Sequence, residues 1–540
     1  MPEPKRAAVR GLILSILLVL LMAALAYLPL IGRFGFYKDD WHMIYSGDAF
    51  GWNRIAYAFE SDRPLMGKIY AREFILLGDS PLAWQVFALG LRAASALGFA
   101  WLLHLLWPKR RLEVAAAAVL FIIYPGFLQQ PNANTFQNHF MGYAAAIFSM
   151  VFALLALRLP RWWQKAVCVA ASMAGELLCL GFYEYMIGLE AVKWALLAYW
   201  LHRERPLGRA WPEIKHLALT VAPYAAGLLG FLYWRFFIFK NTRPATDPQA
   251  ILNTYRQQPV ESVLRLIMET GKDWFETIFA AWVVPLYQLA QKFNYTHLLV
   301  GLLIGAAGVG LWQLYRRQLR EAQTGGEDDF GRAALALGGL AVLLAVIPVI
   351  VSNRNVVFSD QFDRYTLHAT LGAALFLAGG IASLKPRHLR TWLMGGLIAL
   401  ALTTHFLNSS YWAEFWNLQR GLWQQLAWRA PQLQDDTLLM AQLPSGYRLA
   451  EDYEIFSPAN LIYSPGGEEV RIKGEILLPD TLARLAAGDK SPRLVRSYYF
   501  ERDFSKALVI SWTDQAACVH VQDAARLENN WGEEIGRAHV

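Results

Sequence analysis

Cysteine and charge are the scarce ingredients of this chain. Its 540 residues hold three cysteines, Cys168, Cys179 and Cys518, with no Cys-x-x-Cys pair and no Cys/His cluster at metal-ligand spacing. A structural zinc site and a disulfide framework are thereby excluded. Charged residues make up 17% of the sequence, against roughly 25% in soluble domains, which argues against an ordinary soluble enzyme. Walker A, His-Glu-x-x-His, Gly-x-Ser-x-Gly and Gly-x-Gly-x-x-Gly patterns are missing, disfavouring nucleotide hydrolysis, zincin proteolysis and serine-hydrolase chemistry. No internal repeat is visible, and the apolar stretches carry few mid-span ionisable residues beyond Glu176 and Glu190. Both features argue against an ion-coupled transporter.

What the chain has in quantity is apolar surface, 55% of its residues, gathered into blocks of about 20 residues, the length that crosses a bilayer. Eleven spans are predicted, near 11–32, 84–106, 113–129, 140–158, 166–182, 184–201, 216–239, 297–315, 333–351, 366–384 and 391–408. Lys5, Arg6 and Arg10 precede the first apolar run, which continues to Leu30 and exceeds a signal-peptide core of roughly 7 to 15 residues. It reads as a retained helix, although Met22-Ala23-Ala24-Leu25-Ala26 leaves cleavage open.

Loop charge tests the count. With the N-terminus inside, the inner loops contain Lys109-Arg110-Arg111, then Arg158, Arg161 and Lys165, then Arg203, Arg205, Arg209 and Lys215. The next two contain Arg316, Arg317, Arg320 and Arg332, then Lys385, Arg387 and Arg390. Every short inner loop is basic, as the positive-inside rule requires. Counting 274–289, which holds Glu276 and Pro285, as a further span would put Arg316, Arg317 and Arg320 outside, so it reads as an interfacial or re-entrant segment. The net charge of +7 is accounted for by these clusters, and no nucleic-acid partner is expected.

The long polar segments fall on the outside: 33–83, 129–139, 182–185, 240–296, 352–365 and the C-terminal tail. Long loops need a reason to exist, so the working surface is expected there. From 409 to 430, Trp412, Phe415, Trp416, Leu418, Leu422, Trp423, Leu426 and Trp428 are spaced like a helix lying on a membrane surface. Beyond it, β-like runs near 437–441, 453–463, 493–500 and 507–512 alternate with turn signals Pro444-Ser445-Gly446 and Pro465-Gly466-Gly467. The expected organisation is a polytopic α-helical transmembrane domain over 1–408 that includes the outer loop 33–83, a surface helix over 409–430, and a small α/β extracytoplasmic domain over 431–540 that ends in a polar, frayed stretch at 528–540.

Five stretches carry candidate chemistry. Adjacent carboxylates raise one another's pKa, so a loop gains little from Asp39-Asp40 in Tyr37-Lys38-Asp39-Asp40-Trp41-His42. A general base or a cation site would use such a pair; the plainer reading has Asp39 or Asp40 capping a short helix through Trp41 to Tyr45. In Asp62-Arg63-Pro64, Asp62 and Pro64 suit a helix start, and Arg63 is able to reach a phosphate. The amide-rich run from Gln129 to His139, including Asn134, suits sugar hydroxyls, or else saturates its own backbone. Glu184 is ionisable at the membrane boundary. Asp363-Arg364-Tyr365-Thr366-Leu367-His368 stands at the mouth of a late span, where an Arg and a Tyr also serve as interfacial anchors.

An acidic pair in the first outside loop after an uncleaved helix, eleven spans with short inner loops, and an outer C-terminal domain together resemble the GT-C glycosyltransferases. Members of the protein O-mannosyltransferase and aminoarabinose-transferase type carry an Asp-Glu or Asp-Asp pair where Asp39-Asp40 stands. The resemblance implies a sugar donor on polyprenyl phosphate, and transfer with inversion to a glycan, lipid or protein acceptor at the outer face of a bacterial plasma membrane. Asp39, or else Asp40, would be the base, with His42, Asn134, His139 and Glu184 contacting substrate. The run around Arg364 is similar to the family's Arg-Tyr-x-Leu-Pro pattern, with His368 in place of Pro. Arg364, Tyr365 and Arg63 would hold the donor phosphate through charge-assisted bonds. A magnesium or manganese ion at Asp39 and Asp40 stays open, because members of the family work without metal. Two rivals also stay open: a non-catalytic scaffold subunit of a membrane complex, and a lipid-linked polysaccharide polymerase or ligase, which would rely on paired outer-loop arginines.

Overall fold

Apolar runs fold into helices because hydrocarbon offers the backbone no hydrogen-bonding partner, and the long blocks of this chain do so. The computed structural model describes residues 3–204, 210–241, 243, 248–320, 330–359, 361–443, 448–467, 469–489, 491–496, 498–512 and 518–523. The expected turn at 444–446 and the tail at 528–540 lie outside the described residues. Among the described residues eight helices are long and apolar enough to cross a membrane: Arg10–Arg33, Pro81–Leu106, Ala133–Arg158, Trp162–Phe182, Trp211–Ile238, Tyr295–Leu319, Phe330–Val351 and Phe362–Ser383. The protein is therefore a polytopic helical, membrane-embedded chain. The remaining expected spans correspond to helices Arg111–Ile122, Gly188–Glu204 and Arg387–Arg429, which fall outside that set of eight. The segment at 274–289 is broken among three helices, Pro259–Ile278, Ala280–Trp282 and Val284–Ala290.

The chain divides into two compact units. The first comprises Met1–Ile31, Ser61–Leu65 and Gln85–Tyr411; the second comprises Gly32–Glu60, Met66–Trp84 and Trp412–Val540. The boundaries expected at 408 and 430 differ from this division: most of the outer loop 33–83 belongs with the C-terminal stretch.

In the first unit, helices Phe330–Val351 and Thr370–Ser383 pack backbone to backbone. A Cβ on Gly338 would fall 2.4 Å from the Phe376 nitrogen, and one on Gly372 would lie 2.8 Å from the Gly338 oxygen. Small residues permit this approach where the hydrophobic effect cannot drive helices together. The span expected at 113–129 is helical only over Arg111–Ile122, because Pro125 and Gly126 follow. Its open end is capped by side chains: Tyr27 Oη donates to the Ile122 carbonyl at 2.8 Å, a His405 ring nitrogen to that of Ile123 at 3.0 Å, and Arg92 Nη2 to that of Tyr124 at 3.5 Å. The mid-span carboxylates Glu176 and Glu190 converge on Lys193, whose Nζ lies 2.9 Å from one and 2.6 Å from the other. Ser149 Oγ accepts from the same ammonium at 3.1 Å, and the Tyr224 ring lies 4.5 Å away.

In the second unit, strands β1 (Leu438–Gln442), β2 (Lys473–Ile476), β5 (Ala507–Ser511) and β6 (His520–Asp523) form a sheet in the order β2-β1-β5-β6. β1 pairs in parallel with both β2 and β5, while β6 is antiparallel to β5. Strands β3 (Arg493–Val495) and β4 (Tyr498–Phe500) make a separate hairpin. Leu438, Met440, Leu477, Ala507 and Val509 form the core under the sheet.

The run 453–463, expected as β-like, is an α-helix, Tyr453–Tyr463. Glu454 reaches back to accept from the Ala450 and Glu451 amides at 2.8 and 3.1 Å, a helix-start device that outweighs the aromatic and β-branched composition. The surface helix expected over 409–430 is instead the continuation of one 43-residue helix, Arg387–Arg429. The aromatic face from Trp412 to Trp423 is largely covered by protein, whereas Trp428 at its end is exposed. Tyr37 stacks on Phe415 at 5.6 Å, Trp41 Nε1 donates to Gln419 Oε1 at 2.8 Å, and a Cβ on Gly35 would fall 2.0 Å from the Trp416 ring.

Candidate functional site

Each unit assembles its own cluster from the residues that the sequence singles out. In the first, five separate stretches converge at the ends of the helices: Ser61–Leu65, the start of Ala133–Arg158, the turn Glu184–Ile187, the π-helical turn Trp234–Ile238 and the 3₁₀ segment Phe362–Ala369. Arg63 lies over the Tyr183 ring at 5.1 Å, with Asp62 at 3.3 Å and Glu184 at 3.6 Å. Glu184 is shared with Arg235 at 2.9 Å, and Asp62 with Arg243 at 2.8 Å. His139 stacks on Tyr183 with centroids 3.8 Å apart, and Tyr185 bridges Tyr183 at 5.5 Å to Tyr365 at 5.4 Å and His368 at 5.2 Å.

Arg364 closes the other side of these rings. It lies 5.1 Å over Tyr365 and donates to that phenol oxygen at 3.2 Å. Half-buried, it has no carboxylate partner among the described residues. Its neighbour Asp363 turns away and accepts from the Leu128 amide at 2.6 Å and from Gln129 Nε2 at 2.7 Å, which ties the segment to the amide-rich loop. Both Arg63 and Arg364 act electrostatically on Tyr185 and on His139. The expected phosphate ligands Arg63, Arg364 and Tyr365 and the expected substrate contacts His139 and Glu184 are thus brought together. Asn134 is buried on the first turn of the helix that carries His139.

In the second unit the two aspartates separate in role. The helix Asp39–Phe50 begins immediately after Lys38, whose φ is 51°, a left-handed backbone that a lysine adopts only at a cost in strain. Asp40 is fully buried, and its Oδ2 accepts from the Tyr37 amide at 3.1 Å, so it secures the helix start. Asp39 is half-buried. Its Oδ1 accepts from Tyr453 Oη at 2.5 Å and from Arg496 Nη2 at 2.5 Å. Beside it the His42 ring lies 5.8 Å from that of Tyr453 and 6.2 Å from that of Tyr498. Burial, reinforced by the Arg496 cation, pushes His42 down to about 3, so its imidazole is neutral at ordinary pH.

As they stand these carboxylates do not fit a divalent cation: a guanidinium engages one and a backbone amide the other. Among the described residues there is no group of three His, Cys, Asp or Glu that could hold a metal ion.

Sequence reasoning missed Arg235, Arg243, Tyr453 and Arg496. Arg243 carried a signal, being a basic residue in a segment expected to be outside, against the charge rule. Arg235 sits on a π-helical turn, a feature frequent at functional sites. No local pattern marks Tyr453 or Arg496. No protein-family model matches the chain, and no curated protein matches it.

Proposed function

We propose that the protein is an inverting glycosyltransferase that moves a sugar from a polyprenyl-phosphate donor to an acceptor at the outer face of a plasma membrane. In this reading about eleven segments span the bilayer in a GT-C-like arrangement, the N-terminus is cytoplasmic, and the C-terminal α/β part is extracytoplasmic. The observation that carries the proposal is Arg364, a half-buried guanidinium held on Tyr365 without a carboxylate partner among the described residues. It shares a cluster of stacked tyrosine and histidine rings with Arg63. Such a cation suits a phosphate leaving group, and flat rings suit the apolar face of a sugar.

In the proposed reaction Asp39 takes the proton of the acceptor hydroxyl as that oxygen attacks the anomeric carbon. The bond from that carbon to the phosphate oxygen breaks, and polyprenyl phosphate leaves with both bonding electrons. Within the first unit, Arg63 and Arg364 are cations whose chemistry suits a phosphate leaving group. Asp40 supports the helix start, and the reaction written this way needs no metal ion.

The test is release of free polyprenyl phosphate by the purified protein from a panel of polyprenyl-phosphate sugars. Release by the wild type that Asp39→Asn abolishes is the expected result. No release by the wild type, with candidate acceptors and divalent cations supplied, overturns it in favour of a non-catalytic scaffold. The convergence of Arg63 and Arg364 on one ring cluster favours, as a second reading, a lipid-linked polysaccharide polymerase or ligase. Activity that survives Asp39→Asn but not Arg63→Gln or Arg364→Gln would select that one.

A further inference from the structure

In the hairpin β3–β4, Val495 pairs with Tyr498, and Arg496, which directly follows β3, has φ of 57°. Asn, Asp and Gly occupy that position at little cost, whereas an arginine there is strained. The turn alone therefore gives no reason for an arginine. Its guanidinium supplies one. Nη2 lies 2.5 Å from Asp39 Oδ1 and 3.2 Å from Tyr453 Oη, and the cation sits 5.2 Å over the Tyr453 ring. Tyr453 Oη donates to the same Oδ1 at 2.5 Å. Asp39 directly follows one left-handed residue, Lys38, and its carboxylate is held by another, Arg496; such strain persists only where the surroundings over-determine it.

We propose that Arg496 and Tyr453 are positioning residues for Asp39, holding its carboxylate ionised and fixing its orientation through Oδ1. The inference rests on the reading of Asp39 as the base, and it adds that the base is set from the tip of a hairpin more than 450 residues further along the chain, |i−j| being 457. Other groups around Asp39 do not replace the arginine. His42 is uncharged, Glu451 and Glu454 are carboxyls whose pKa burial raises, and Lys38 Nζ donates to the Arg448 carbonyl at 2.6 Å. A purely structural tie between hairpin and helix would be served as well by an uncharged hydrogen-bonding side chain. Control of ionisation requires the cation.

The experiment uses the purified full-length protein with the polyprenyl-phosphate-sugar panel and two readouts. One is the rate of polyprenyl phosphate release against pH. The other is carbodiimide labelling of Asp39 against pH, read by mass spectrometry, which reports the protonated carboxyl without requiring turnover. Arg496→Gln is expected to lower kcat by about 10²-fold with KM little changed, and to move both the acid limb and the labelling profile of Asp39 upward by about one pH unit or more. Arg496→Lys restores part of both, and Tyr453→Phe shifts them in the same direction by less. Thermal melts by tryptophan fluorescence identify any variant that fails to fold, and the lysine variant then carries the test. Profiles for Gln and Lys variants that coincide with the wild type overturn the positioning role. Release that survives Asp39→Asn overturns the base reading instead, a separate result from the labelling shift.

Discussion

Arg364 and Arg496 are both arginines laid over a tyrosine, at 5.1 and 5.2 Å, yet they stand in opposite electrostatic situations. Arg496 is spent on a carboxylate 2.5 Å away; among the described residues Arg364 donates to a phenol oxygen at 3.2 Å and forms no ion pair. The same pair of residue types therefore does two different things. A guanidinium already paired with a carboxylate orients its partner, whereas a half-buried one with no ion pair among the described residues is suited to an incoming anion. Arg63 lies between these cases, with Asp62 and Glu184 both within 4 Å.

The largest expected effect tests the spent side of that comparison. Asp39→Asn should lower the release rate by about 10² to 10⁴-fold while donor binding survives, whereas Asp40→Asn, which touches a helix start, should cost about 1 kcal/mol of stability and leave turnover within about tenfold of wild type. Steady-state kinetics and melts on both variants decide it. Next in size is a cation spent entirely on structure. Lys193→Met leaves Glu176 and Glu190 without their ammonium and should destabilise the first unit by about 3 to 5 kcal/mol, seen as a lower melting temperature in detergent with KM for the donor unchanged in the fraction that stays folded.

The unbalanced arginine gives a smaller and different signature. Arg364→Gln should weaken the donor by about 10 to 100-fold in kcat/KM, from the loss of charge-assisted bonds, and Arg63→Gln by less, because its charge is already shared. Equal effects from the two would erase the distinction drawn here. The last effect concerns pH and falls on stability, leaving the comparison of the two arginines untouched. Burial pushes Glu454 up to about 7 from an ordinary 4.5, so the folded second unit binds this proton more tightly than the unfolded chain. That contribution is fully present below the unfolded value and is lost as pH rises through about 7. Glu454→Gln should flatten the dependence, a change of about 2 to 3 kcal/mol between pH 5 and 8, measured by urea melts at the two values.

Legibility in the sequence followed the range of the forces involved. Apolar blocks announced the membrane helices, and Glu176 and Glu190 stood out as mid-span ionisable residues; Lys193 stands at i,i+3 from Glu190 on one helix, but no local pattern brings Glu176 to them. The run 453–463 looked like a strand because Tyr, Ile and Phe dominate it, while the deciding feature was a single back-reaching glutamate. The aromatic helix beyond 409 had the spacing of a membrane-surface helix, since periodicity reports one apolar face without saying what covers that face. Arg63, Arg364, Tyr365, His139 and Glu184 were each visible as a residue type in a plausible loop, and only folding gathered them into one cluster.

By itself the sequence determined that the long apolar blocks must be helical, because backbone hydrogen bonding and burial of apolar side chains act over one or two turns. It also determined which residue types stand at the helix ends. Tertiary structure alone decided which aspartate caps and which is held by Arg496, and which arginine is left without an ion pair among the described residues. Those outcomes depend on partners as far as 414 and 457 positions away, and a Coulomb interaction depends on distance in space, which no local pattern encodes.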